Sequence, residues 1–310
     1  MTTRPALAPN NSLSSRALGA YLGLAVGDAL GATVEFMTPR EIAHQYGRHT
    51  EIIGGGWLQL RSGQVTDDTT MSLALGEAIL TQGLAPVAMA ESLDRWMRSK
   101  PVDIGNTVRR GLLRYRQRGE VHGRPAEHDA GNGACMRSLP IALATFGRER
   151  ETIYQAMTAQ AHITHNNPLS DAATFCVVRM VQLALQEQSL SALLHGPVQE
   201  LMAEHPQFAF RRQRPVENPS GYIVDTLRCV FEVFFDTDNF EDCLIETVNR
   251  GGDADTTGAI VGMIAGAWYG IDAIPSRWLD RLDELIEKQC RQQALALLDF
   301  SLSSCALSHE

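Results

Sequence analysis

Two short clusters of oxygen-bearing side chains carry most of the chemistry this sequence could do. The first is Thr66-Asp67-Asp68-Thr69 and the second is Gly251-Gly252-Asp253-Ala254-Asp255-Thr256. Each sets two carboxylates beside hydroxyl groups, at or just before the start of a helical pattern. Capping alone explains either one, because an acid in the first helical turn gains about 0.3–1 kcal/mol from the helix dipole. Together they ask for more. Four carboxylates gathered in one pocket repel unless protons or cations intervene. Oxygen-only donors suit hard cations such as Mg2+, Mn2+ or Ca2+, and with no Cys or His in either cluster zinc is disfavoured. Two neighbouring ions could bridge such carboxylates, hold substrate hydroxyls and activate a water.

A third feature is His128-Asp129-Ala130-Gly131-Asn132-Gly133-Ala134. Glycines on both sides of Asn132 let the backbone turn sharply and approach a ligand. A helix starting at Ala134 would offer free N–H groups to a phosphate. A simple loop cap explains the same residues. Asp129 is a fifth acid, placed to act as general acid or base. The fourth feature is His162-Ile163-Thr164-His165-Asn166-Asn167-Pro168, between two helical patterns, with Pro168 at an ordinary helix-start position. A histidine there is either a structural hydrogen-bonder or a ligand-facing group.

The elements that must position these groups are helical. Apolar residues recur at helix spacing over Ser12–Gly27, Asp67–Thr81, Pro86–Met97, Ile104–Arg118, Ala134–Phe146, Glu151–Ala161, Leu169–Gln186, Leu190–Met202, Ile223–Phe235, Phe240–Asn249, Thr256–Tyr269 and Arg277–Leu298. No convincing strand alternation occurs, and Pro/Gly punctuation falls between the segments without making a long linker. The expectation is one all-α domain over residues 13–300, with tails at 1–12 and 301–310. Two segments share a pattern: Gly19, Gly23 and Gly27 recur every fourth residue, as do Gly258, Gly262, Gly266 and Gly270. Glycine inside a helix costs about 0.5–1 kcal/mol relative to alanine. Close core packing is the plain reading. The sharper one has these two helices packed on each other, bringing Asp28 near Asp253 and Asp255.

Composition bounds the rest. The 310 residues include 27 Lys+Arg against 36 Asp+Glu, a net charge of −9, which disfavours broad nucleic-acid binding. Lys100 and Lys288 are the only lysines, so a P-loop is excluded and a Schiff-base lysine disfavoured. Residues Met1–Arg16 hold no signal-peptide core, and the longest apolar run, Thr256–Ile271, is too short to span a membrane. The six cysteines show no Cys-x-x-Cys spacing. These features fit a cytoplasmic protein without a transmembrane segment. Arg109, Arg110, Arg114, Arg116, Arg118 and Arg124 make either a solvated helix face or a dock for an acidic partner.

In this order, the four features resemble the ADP-ribosylglycohydrolase family. Gly27-Asp28-Ala29-Leu30-Gly31 with Glu35 fits as well, and Asn249-Arg250-Gly251-Gly252-Asp253-Ala254-Asp255-Thr256-Thr257-Gly258 is similar to the family's most specific signature. The matching segments run from about Leu18 to Tyr269. Asp129–Arg137 and His165–Pro168 suggest the bacterial branch that reactivates dinitrogenase reductase, although Asn166-Asn167 departs from the His-rich residues expected there. The resemblance implies a compact orthogonal multi-helix bundle around two divalent cations, Mg2+ or Mn2+, and removal of ADP-ribose from an arginine of the nitrogenase iron protein. It implies Thr66, Asp67, Asp68, Asp253, Asp255 and Thr256 as metal ligands. Asp129 becomes the carboxylate beside the scissile bond, with Glu35 an acid near the mouth. Gly131, Asn132, Gly133, Arg137, His165 and Tyr222 are implied as substrate-binding, Tyr222 by stacking. It further implies a PII-type signalling partner and recruitment to the inner membrane through partner proteins. An ADP-ribose-binding module without turnover and another metal-dependent hydrolase, such as a phosphatase, are the competing readings.

Overall fold

The computed structural model describes residues 12–127, 130–211 and 213–306, with side chains as far as 303. Asp129, expected beside the scissile bond, lies outside the described residues, as does His128. Helices run α1 (Leu13–Gly31), α2 (Pro39–Tyr46), α3 (Asp67–Gln82), α4 (Pro86–Arg98), α5 (Asn106–Arg118), α6 (Leu139–Ala144), α7 (Arg150–Ala161), α8 (Pro168–Leu185), α9 (Leu190–Leu193), α10 (Gln199–Glu204), α11 (Ile223–Asp236), α12 (Phe240–Val248), α13 (Ala254–Tyr269), α14 (Ser276–Leu279) and α15 (Glu284–Ala306). Among the described residues, β-pairing is limited to two isolated bridges, Gly55 with Leu60 and Gly131 with Tyr222. The fold is all-α, as the periodicity predicts.

The centre is a pair of antiparallel helices. α13 is buried from Ala254 through Trp268, and α1 buries nearly every residue from Arg16 onward. Helices apolar on all sides belong inside a core. The glycines explain how they meet. A Cβ on Gly19, Gly23 or Gly27 would overlap the carbonyl oxygen of Gly266, Gly262 or Gly258, and the reverse substitutions would strike α1 in the same way. The backbones therefore touch, which offsets the propensity cost of the glycines. Gly270 closes the seam: it ends α13 in a positive-φ conformation, with its backbone carbon also against Gly19. At the far end Arg16 is fully buried and donates to the carbonyls of Ala267 (3.0 Å) and Trp268 (2.5 Å), a cation on a helix C-terminus. At the near end Gly31 abuts Ala254, which fixes Asp28 beside the start of α13.

Several boundaries differ from the sequence expectation, each for a local reason. The helix expected over Ala134–Phe146 begins at Leu139, because the chain is still turning after Gly133 and Pro140 takes a first-turn position. The pattern over Leu190–Met202 is interrupted by a π-helical turn at Leu194–Val198, where Pro197 removes a donor and Gly196 leaves helical geometry. The pattern over Arg277–Leu298 is two helices, with Asp280–Asp283 as the break. α2 was not expected; its capping box, with Thr38 and Glu41 bonded reciprocally, is a signal the sequence does carry. α8 is long and apolar enough to cross a membrane by length and composition, but 67% of it is buried inside the protein.

Candidate metal centre and cleft

The first acidic cluster is free for chemistry because another helix does its capping. Thr66 is the N-cap of α3 yet makes no side-chain cap bond. The Asp28 carboxylate, reaching across from α1, accepts the backbone N–H of Thr66 (2.9 and 3.1 Å) and of Thr69 (3.0 Å) instead. It also accepts the hydroxyls of Thr66 (3.0 Å) and Thr69 (2.5 Å). Asp67 and Asp68 are thereby left to face inward, both buried.

The second cluster is arranged alike. Asp253 is the N-cap of α13 without capping it, and instead accepts 2.5 Å from Asn132 Nδ2. Gly251 (φ 70°) and Gly252 (φ 64°) turn the chain into this helix in a conformation that favours glycine. The same turn is stitched to the segment after α1: Phe36 N donates to Gly252 O (2.7 Å), and Gly252 N donates to Met37 O (2.9 Å). That stitching sets Glu35 beside the second cluster. One oxygen each from Glu35, Asp253 and Asp255 lie within 4.8 Å of one another. The two clusters meet through Thr66 Oγ1 and Asp255 Oδ2 (3.3 Å) and through Thr256 Oγ1 and Asp68 Oδ2 (3.3 Å). As expected from the glycine helices, Asp28 comes near Asp255, the two sharing the Thr66 hydroxyl.

Burial dominates the electrostatics. It pushes the Asp67 and Glu35 carboxyls up to about 8 and Asp28 to about 6, the last against four hydrogen bonds that favour its charge. Asp68 and Asp255 are raised too, by burial first and then by their acidic neighbours, while Asp253 is raised by burial against hydrogen bonds with Asn132, Asp255 and Thr256. Asp68 Oδ1 is buried with no protein partner. Buried carboxylates in mutual contact, with one oxygen orphaned and hydroxyls interleaved, form a donor set that fits hard divalent cations. Glu35 belongs to this cluster rather than standing apart at the mouth, while Trp57 Nε1 donates 2.6 Å to its outer oxygen.

The cluster floors a cleft of about 280 Å3. Its other wall carries Asn106, Val108, Gly131, Asn132, Gly133 and His165. Asn132 is held by its backbone N–H to Gly221 O (3.0 Å) and by Nδ2 to Thr226 (3.0 Å) as well as Asp253. Asp103 also lines the cleft, half-buried, and its charge acts on Asp67, Glu35 and Asp253. Sequence reasoning did not single out Asp103, Asn106 or Trp57. Asp103 and Trp57 carry no local motif, although Gly105-Asn106 ahead of a helix is a weak turn-and-cap signal.

Comparison with known proteins gives the family. The family model of the ADP-ribosylglycohydrolases matches residues 9–305. This chain belongs to the ADP-ribosylglycohydrolase family. It is 52% identical over 288 residues to the ADP-ribosyl-(dinitrogen reductase) glycohydrolase of Rhodospirillum rubrum, covering 93% of this chain and 97% of the relative. It is 33% identical to the ADP-ribosylarginine hydrolase Tri1 of Serratia proteamaculans, covering 91% and 79%. A solved structure, an ADP-ribosylglycohydrolase-related protein complex, superposes with a TM-score of 0.83 at 35% identity, covering 94% of this chain and 99% of that one.

One expected substrate contact needs correction. Arg137 does not line the cleft; it is fully buried behind it, donating to Gln160 Oε1 (2.9 Å), Gln160 O (3.0 Å) and Thr164 Oγ1 (2.8 Å). Tyr222 is 43% exposed and stands beside the cleft, its backbone paired with Gly131 and its neighbour Gly221 in the lining. The unexpected Asn166 and Asn167 are structural: Asn166 donates to Gly123 O (2.5 Å), and Asn167 caps α8. Half of the arginine-rich stretch is also spoken for. Arg114 donates to Ile163 O (2.7 Å), Arg116 pairs with Asp94 (2.8 Å), and Arg110 engages neighbouring groups.

Proposed function

We propose that this glycohydrolase hydrolyses the N-glycosidic bond between ADP-ribose and an arginine side chain, and that its protein substrate is ADP-ribosylated dinitrogenase reductase. The observation that carries the reading is the carboxylate cluster of Glu35, Asp67, Asp253 and Asp255 at the floor of a cleft, with Asp68 fully buried beside it, joined to the relatives' names. Two divalent cations, Mg2+ or Mn2+, would be held by these acids with Thr66 and Thr256. When bound they would supply a Lewis acid for ribose hydroxyls and an acidified water.

The chain's own residues do the rest. Asn132 and the Gly131–Gly133 backbone support the ribose wall. The acidic floor favours positive charge developing on the ribose as C1–N breaks. Hydrolysis adds the oxygen of water to C1 and returns one of its protons to the departing guanidine nitrogen. We assign that transfer to Asp103, the carboxylate that lines the cleft outside the cation cluster. Asp129 is the competing carboxylate. Turnover of ADP-ribosyl-arginine by Asp103→Asn and Asp129→Asn variants decides between them: Asp103→Asn should keep metal and lose hydrolysis. Full activity in Asp103→Asn with loss in Asp129→Asn would reverse the assignment. Release of free ADP-ribose from modified iron protein, abolished by chelator and restored by Mg2+ or Mn2+, tests the whole reading against a non-hydrolysing binder or a phosphatase.

A single domain, a cytoplasmic location and recruitment by a PII-type partner complete the proposal. The exposed Arg109, Arg118 and Arg124 offer such a partner a basic face. Charge reversal there should weaken capture by a PII protein while sparing turnover.

A further inference from the structure

Arg137 is an expensive residue to bury, and it does not touch the cleft. What it does touch points back there. A guanidinium is donor-only, so the 2.8 Å contact with Thr164 Oγ1 uses that hydroxyl as an acceptor. Thr164 Oγ1 also lies 2.8 Å from His165 Nδ1. The hydroxyl keeps one proton, and Nδ1 is the partner in line for it. The opposite arrangement, with the proton on Nδ1, would leave the Thr164 hydroxyl proton unpaired at a site only 3% exposed. Arg137 itself is anchored by two bonds to Gln160, whose amide in turn donates to Ala134 O (3.0 Å), so the guanidinium cannot turn away.

The other end of the imidazole reaches the cleft. His165 Nε2 lies 3.2 Å from where a Cβ on Gly131 would stand and 3.1 Å from one on Gly133. Both glycines line the cleft, and their missing side chains make room for the ring. Burial, with Arg137 and Arg110 nearby, holds the imidazole down to about 3, so it carries no charge at neutral pH. The cleft is thus two-ended: carboxylates at one end, and at the other a neutral ring in the positive field of two arginines.

We infer that Arg137, through Thr164, is a positioning residue that locks His165 as the Nε2–H tautomer and aims a single N–H donor at a phosphate oxygen of the bound ADP-ribosyl group. The phosphate assignment rests on the glycohydrolase reading; the tautomer does not. A neutral donor in a positive field suits an anionic oxygen and, unlike an arginine in the cleft, does not compete with the carboxylates for charge.

The test is an NMR measurement on 15N-histidine-labelled full-length protein, with His165→Gln identifying the signal. The expected result is His165 protonated at Nε2 and bare at Nδ1. A proton on Nδ1, or on both nitrogens near neutral pH, overturns the lock. Thr164→Val should mix the tautomers and weaken ADP-ribose binding about tenfold. Thr164→Ser should restore both, and divalent-cation binding should be unchanged throughout. Arg137→Lys should mix the tautomers as well. An unchanged spectrum and affinity in Thr164→Val refutes the relay. ADP, titrated beside ADP-ribose, locates the contact: an equal loss for both supports the phosphate, whereas a loss for ADP-ribose alone overturns it. If neither ligand binds wild type, the functional reading fails while the spectrum still decides the lock.

Discussion

The two walls of the cleft solve opposite problems. The acidic wall, built from the starts of α3 and α13, is under-satisfied: its carboxylates are buried against one another and Asp68 Oδ1 has no partner. The opposite wall is held in a connected network: Gln160, Arg137, Thr164 and His165 form a chain of bonds that ends in one donor. Where polar groups are left wanting, a cation can enter. Where each member of a chain of bonds is held by the one before it, the last member has one orientation left. A site can therefore be built by leaving acceptors open on one side and by a directed chain of bonds on the other, even though Arg137 Nη1 within that chain is itself buried without a partner.

The largest effect that would break this contrast is loss of the acidic wall. Asp68→Ala or Asp255→Ala should abolish divalent-cation binding in calorimetry and with it all turnover. Retained stoichiometric binding would show that the orphaned oxygen has another purpose. Next in size is the seam that brings the acids together. Gly23→Leu or Gly262→Leu should destabilise by about 3 kcal/mol or more, since side-chain volume meets backbone. Metal affinity should fall in any fraction that still folds, and full affinity there would disconnect seam from site.

A third expectation concerns pH. Asp67 and Glu35 titrate near 8 in the folded chain, well above their ordinary carboxylate values. Raised acids bind more protons folded than unfolded, so their contribution is present at acid pH and is lost as pH rises toward about 8. Metal-free protein should melt at progressively lower temperature from about pH 4 to pH 8, and a saturating divalent cation should flatten that slope. A melting temperature that rises over this range without metal would remove the electrostatic account. The smallest effect is Trp57→Phe, which deletes the bond to Glu35 and should weaken cation binding roughly fivefold, at about 1 kcal/mol for one hydrogen bond.

The sequence makes the acidic wall far more legible than its partner. Asp67, Asp68, Asp253 and Asp255 announce themselves as adjacent acids at helix starts, and the glycine repeats predict the seam that joins them. All-helical periodicity likewise gives the fold class. Asp103 was missed because a lone carboxylate ahead of a helix has no pattern; only the folding of α5 across the cleft gives it meaning. Arg137 was misplaced for the converse reason. The family resemblance implies it, with Gly131–Gly133, in the segment that holds ADP-ribose, but the turns between Gly133 and Leu139 carry its side chain inward to Gln160. The break in the Leu190–Met202 pattern escaped because hydrophobic spacing continues through Pro197 even though hydrogen bonding does not.

The Thr66–Asp255 contact spans 189 residues. During synthesis the ribosome delivers Asp28, Asp67 and Asp68 long before α13 exists to complete their enclosure. Until then the early acids have neither the partner carboxylates nor the dry surroundings that shape the donor set. Cation capture is therefore a late event in the life of the chain, and a truncated product that stops short of Asp253 would be a helical fragment with half a cage and no means of closing it.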